Sequence, residues 1–147
     1  MIIHTLLAWL TILAAPAKPY EVKPPDDVFQ VAAGTWGWGT GERACAKSPQ
    51  RVTFTPDHSV MLIESANDSG GMTVTQYTLQ WSSPSTIRGL ITDETRLTPE
   101  GQPVVWDLVL MSPNTFRWHR TDWARGAFTG ELTRCPVGKA RVQPSSD

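Results

Sequence analysis

The chain is short of the residues that metal sites and nucleophilic catalysis require. It has only two cysteines and three histidines in 147 residues. Structural zinc and iron–sulfur sites need more thiolate or imidazole ligands than Cys45 and Cys135 offer. His58, His119 and Asp122 are too scattered to be read as a ligand set, so neither a metal nor any other cofactor is expected. Asp57-His58-Ser59 contains the residue types of a catalytic triad, but neighbours on one tight turn do not make a base–nucleophile geometry. Gly37, Gly39 and Gly41 precede no predicted helix, which argues against a phosphate-cradling loop. No enzyme activity is expected. An excess of either charge is also missing, with 13 Lys plus Arg against 14 Asp plus Glu. Without a basic stripe there is little to neutralise phosphates, so nucleic acid is not an expected partner.

Long apolar runs are absent after the first one. That run, Ile2–Ala14, holds no charged side chain and ends in Ala15-Pro16-Ala17 before Lys18. Small residues at the positions a signal peptidase reads make residues 1–17 a cleavable signal peptide. The alternative is an N-terminal membrane anchor, for which the run falls short of the roughly 20 residues a bilayer needs. The expected location is periplasmic or secreted, with no stable membrane span in the mature form. In an oxidising compartment Cys45 and Cys135 are expected to form a disulfide rather than remain two buried thiols. The loop it closes, about 90 residues, corresponds to roughly 4–5 kcal/mol in the chain-entropy picture.

Prolines organise the rest. From Pro49 to Pro136 they fall between apolar or alternating runs, where a residue lacking an N–H is tolerated. Residues 18–25 read as an extended linker, and Asp26–Ala32 as a short helical turn with Asp26 or Asp27 as N-cap. Eight strands follow, Gly34–Trp38, Arg51–Thr55, Val60–Glu64, Met72–Trp81, Thr86–Asp93, Val104–Met111, Thr115–Asp122 and Ala127–Cys135. The single domain then covers residues 26–136, and 137–147 reads as a disordered tail.

Alternation within these strands separates two faces. Tyr77, Leu79 and Trp81 oppose Gln76, Thr78 and Gln80. Trp106, Leu108 and Leu110 oppose Val105, Asp107, Val109 and Met111. Phe116 and Trp118 oppose Arg117 and His119, and Phe128 and Leu132 oppose Thr129 and Glu131. A meander with one apolar face must close on itself or pair with a second sheet. The expected fold is all-β, an eight-stranded antiparallel up-and-down barrel, with an open β-sandwich as the alternative. Eight strands leave an interior that side chains fill or that holds one small ligand.

Helical turn, then Gly34-Thr35-Trp36 opening the first strand, resembles the start of lipocalins and related calycins. Thr121-Asp122-Trp123 is similar to a second motif of that family, Thr-Asp-Tyr, with Trp in place of Tyr. The resemblance implies that Trp36 lies at the closed end of the barrel, under an arginine from near the last strand, Arg134 or Arg125. Another small calycin-like barrel, such as an avidin-like one, would share this topology.

Seven tryptophans, all but Trp9 downstream of the leader, supply the candidate chemistry. Core filling accounts for Trp36, Trp81, Trp106 and Trp118, because aromatic side chains dominate burial in small domains. The same residues could line a pocket for an apolar or ring-bearing ligand. Trp38 and Trp123 stand near a strand end and a loop, at the barrel mouth or on the surface. Arg120 shares the parity of Phe116 and Trp118. Pointing inward, it needs a partner, such as the carboxylate of a ligand; at a strand end it meets solvent or Asp107 instead. The candidate ligand-binding set is therefore Trp38, Trp81, Trp106, Trp118, Arg120 and Trp123. The expected function is non-catalytic binding of a small hydrophobic or amphiphilic molecule in or near the mouth. The alternative is a filled barrel that acts through its surface, as an envelope interaction module or a hydrolase inhibitor.

Overall fold

The computed structural model describes residues 17–41, 43–47, 49–67 and 69–137. The expected signal peptide, apart from Ala17, and the expected tail beyond Val137 lie outside the described residues. Eight antiparallel strands join in sequence order and the last returns to the first, so the barrel is closed and up-and-down. The strands are β1 (Gly34–Trp38), β2 (Gln50–Phe54), β3 (Val60–Ala66), β4 (Met72–Ser82), β5 (Thr86–Ile91), β6 (Trp106–Ser112), β7 (Thr115–Arg120) and β8 (Leu132–Arg134).

One end of the barrel is sealed before the strands begin. Tyr20 donates its N–H to Leu110 O at 2.8 Å and Val22 to Pro84 O at 2.9 Å, so the extended segment lies across this end and Val22 joins the core. Helix α1 (Val28–Ala32) starts at Asp27, whose carboxylate accepts from Gln30 N–H while Gln30 accepts from Asp27 N–H. This reciprocal capping box satisfies two N–H groups that a helix start leaves unpaired. Val28 and Ala32 then face the core.

Trp36 is wholly buried beneath α1 and donates its Nε1–H to Ala32 O at 2.9 Å. The Arg134 guanidinium lies over the Trp36 ring, 4.2 Å from its centroid, and donates to Ala33 O, Pro113 O and Val31 O. Carbonyls of the α1 end thus hold the cation, and the indole face covers it. Burial lowers the Arg134 pKa from its usual value. Arg125 is exposed.

Cys45 and Cys135 are joined, their Cα atoms 5.5 Å apart. Cys45 lies in a second helix, α2 (Ala44–Lys47), where the sequence suggested no helix after Gly41. The single turn packs on β1 at Gly37, where a Cβ would come within 2.0 Å of Ala44 O. Only a residue without a side chain permits that approach.

Strand limits shift by one or two residues in β2 to β7 and by more in β8, and three departures from the alternation pattern bear on the site. β8 holds only Leu132–Arg134. Ahead of it, the Thr129 hydroxyl accepts the Trp118 N–H at 3.0 Å, so a side chain replaces a ladder carbonyl; Leu132 is buried while Phe128 is exposed. Val104 and Val105 precede β6 in a folded loop, with Val104 N–H bonded to Arg96 O and Leu97 bridged to Pro103. In β4 the register shifts between Leu79, opposite Gly89, and Trp81, opposite Arg88. The extra residue is a β-bulge, and it turns Trp81 from the inner face to the outer one.

Candidate functional site

Burial along the inner face changes from one end to the other. Toward the sealed end Trp36, Val52, Met61, Ile87, Leu110 and Phe116 are all 0% exposed. Toward the opposite end the register also directs Trp38, Thr73, Thr75, Ile91, Trp106 and Arg120 inward, yet each is partly or largely exposed. The barrel is packed below and opens to water above, and this mouth is the candidate site.

One wall is aromatic. Rings pass upward from Trp36 to Phe116 (4.9 Å between centroids), Trp118 (5.4 Å), Trp106 (6.0 Å) and Trp123 (5.8 Å), each near edge-to-face. Tyr77 stacks on Trp118 at 5.7 Å, and burial pushes its hydroxyl up to about 12. Edge-to-face and offset pairs each add about 0.5–1.5 kcal/mol beyond their area burial. Gly89 makes room for this wall, since a Cβ there would reach Tyr77 Cβ at 3.0 Å. The other wall is polar, with Gln50, Ser65, Thr73 and Thr75 directed inward by pairing with residues of the core face. Gln50 Oε1 is buried and has no hydrogen-bond partner among the described residues.

Two arginine–carboxylate pairs stand at the rim. The Arg120 guanidinium lies 5.3 Å from the Trp106 ring and 5.2 Å from Trp123. It grips Asp122 with both ends of its fork, at 2.9 and 2.5 Å. Those bonds hold the Asp122 carboxyl below its usual range. The carboxylate that an inward Arg120 requires is therefore supplied from within the chain, at the next turn. Arg96 lies 5.7 Å from Trp106 and grips Glu94 at 2.7 and 2.6 Å. Hydrogen bonds from Arg96 lower the Glu94 carboxyl from 4.5 to about 2. A depressed carboxyl favours the fold fully above its unfolded value, so this clamp weakens only as pH falls from about 4.5 toward 2.

The structure brings Trp106, Trp118, Arg120 and Trp123 together, with Trp118 in the floor and the others above it. Trp38 reaches the same rim from β1 and is 42% exposed. Trp81 stands apart on the outer wall, 44% exposed, with the Arg88 guanidinium 4.9 Å from its ring. Arg88 in turn holds the buried Asp107 at 2.7 Å through both of its oxygens. Glu94, Arg96, Gln50, Thr73 and Thr75 were not singled out by the sequence. The inward parity of Thr73 and Thr75 follows from Tyr77, but the loop carrying Glu94 and Arg96 has no periodic signal.

The remaining polar residues serve local structure. Asp57 accepts from Thr55 Oγ1, Ser59 Oγ and Ser59 N–H, which lowers its carboxyl to about 2, and the Ser59 hydroxyl is committed to that turn. His58 stacks on Phe29 at 4.0 Å at the sealed end. His119 Nδ1 lies 2.7 Å from Ala127 O. Among the described residues no three His, Cys, Asp or Glu side chains gather as a metal site, and no helix is long and apolar enough to cross a membrane. Compared with protein families, curated proteins and solved structures, the chain matches none.

Proposed function

We propose that the protein is an exported, non-catalytic, lipocalin-like binding protein that takes a small amphiphilic molecule into the open end of its barrel. The observation that carries this reading is the burial gradient along the inner face, from wholly buried side chains at the sealed end to accessible ones at the mouth. A ligand would lay its apolar part against Ile91, Trp106 and Trp118 and its polar part toward Thr73, Thr75 and Gln50. An apolar lining with a few placed polar groups is the usual composition of small-molecule sites. The likeness to lipocalins is supported by Gly34-Thr35-Trp36 under α1 with Arg134 over the indole. Export is supported by the disulfide, which persists in oxidising compartments.

Tryptophan emission reports directly on this wall. Titration with medium-chain fatty acids and aromatic carboxylic acids is expected to give a saturable shift. Thr75→Trp, which fills the mouth from the polar side, should weaken it at least about tenfold, or roughly 1.4 kcal/mol. Absence of saturation with every probe, or a titration unchanged by Thr75→Trp, would reject the mouth as a binding site. The second reading, a surface-acting module, is favoured by the exposed Trp81 with Arg88 stacked on it. Under that reading, capture of an envelope protein fails with Trp81→Ala and is indifferent to Thr75→Trp.

A further inference from the structure

The β3–β4 hairpin is longer than the wall beside it. β4 runs from Met72 to Ser82, but its pairing with β5 begins at Tyr77 opposite Ile91, with one further bond from Thr92 N–H to Gln76 O at 3.0 Å. Met72–Thr75 therefore has β3 on one side and no strand on the other among the described residues. A cleft of about 360 Å³ lies along this stretch, lined by Val74, Thr75, Gln76, Ile91, Thr92 and Asp93.

The ladder fixes which backbone groups are free. Asn67 donates to Gly71 O and Leu79 to Ser59 O, both at 2.8 Å and both in the same β3–β4 register. Hydrogen-bonded pairs recur at every second residue of an antiparallel ladder. Thr73 and Thr75 thus spend their N–H and C=O groups on β3, and those of Met72 and Val74 point to the unpartnered side. Their side chains are on the outer face, 54% and 56% exposed.

Exposed edges are normally guarded by lysine, proline, a bulge or an inward charge. From Ser69 to Ile87 there is no charged residue, and the first proline is Pro84. The bulge of β4 lies at the other end of the strand. Glu64, opposite Val74 on the outer face, faces Arg51 at 3.8 Å, and Asp93 is the one charged residue lining the cleft.

We infer that this edge pairs with the same edge of a second copy of the chain. A two-fold axis at Thr73 sets Met72 opposite Val74 of the other copy, and each such pair exchanges both of its N–H···O bonds. Thr73 then meets its own counterpart, and Met72 packs beside Val74, both favourable cross-strand combinations. The match needs no opposite charge on the pairing strand, and Ser69–Ile87 carries none. It uses only groups without a backbone partner among the described residues and leaves the Gln76–Thr92 bond intact. A contact this short makes a reversible dimer rather than an obligate one.

Sedimentation equilibrium of the oxidised protein from about 1 μM to about 1 mM, the span of weak association, is expected to show the average mass rising toward twice that of one chain. Hydrogen exchange at the Met72 and Val74 amides should slow only at the high concentration. Val74→Lys places a cation beside Glu64 without disturbing the single chain, and should weaken association at least about tenfold; Val74→Thr should preserve it. Thermal unfolding of both variants checks that each is folded. A single-chain mass throughout the range would overturn the inference, as would association indifferent to Val74→Lys, or protection of those two amides at both concentrations.

Discussion

Loss of the Cys45–Cys135 bridge is expected to lower the unfolding free energy by about 4–5 kcal/mol, the chain-entropy value for a loop of this length. Small domains have only about 5–15 kcal/mol in total, so the reduced protein should sit near its folding threshold. The position of the bridge reinforces the effect. β8 is three residues long and meets β7 at only two register positions, Thr115–Thr133 and Phe116–Leu132. The seam that β8 makes with β7 is the shortest ladder in the barrel, and the disulfide ties α2, packed on β1, to the residue that follows β8. Urea unfolding with and without reductant, or of Cys45→Ala/Cys135→Ala against the parent, measures the difference. A loss below about 1 kcal/mol would show that the seam is held by its packing alone.

The second large effect is expected at Trp36. Trp36→Ala removes a wholly buried indole, its bond to Ala32 O, its edge contact with Phe116 and the surface on which Arg134 rests. Truncation of a buried Trp costs about 3–5 kcal/mol. Arg134 would remain partly buried against the α1 carbonyls with its apolar cover gone, so the upper part of that range applies. Trp81→Ala makes the contrast, because Trp81 is on the outer wall and its loss should cost less than about 1 kcal/mol. Equal losses for the two substitutions, in urea unfolding of oxidised protein, would contradict this division between core and surface.

Those two tryptophans also mark what a one-dimensional pattern conveys. Alternation over β6 and β7 placed Leu108, Leu110, Phe116 and Trp118 inside, because the one register shift between these strands falls beyond Leu110, before Ser112. Trp81 defeats the same rule because one inserted residue after Leu79 reverses the parity beyond it. β8 is shorter than its apolar pattern because Thr129 bonds the neighbouring strand through its side chain. α2 has too few residues to show a helical period, and its place is set by the disulfide and by Gly37. At the mouth, parity alone put Arg120 and Trp118 on one face. The partner of Arg120 was not legible, because the turn that brings Asp122 back under the guanidinium depends on three-dimensional closure. Glu94 and Arg96 lie in a loop whose fold comes from the Arg96–Val104 and Leu97–Pro103 contacts, which no local pattern encodes.

The bridge has a mechanical consequence. A pull applied at Ala17 and Val137 reaches the barrel through Cys45 and Cys135, and everything between them is bypassed by the covalent link. Only the sealing segment, α1, β1 and the short stretch into α2 can lengthen. Fully stretched, that is about 100 Å of chain, against roughly 400 Å once the bond is cut. Under tension the oxidised molecule behaves as a knot with a short free cord, its largest part kept out of the path of the force.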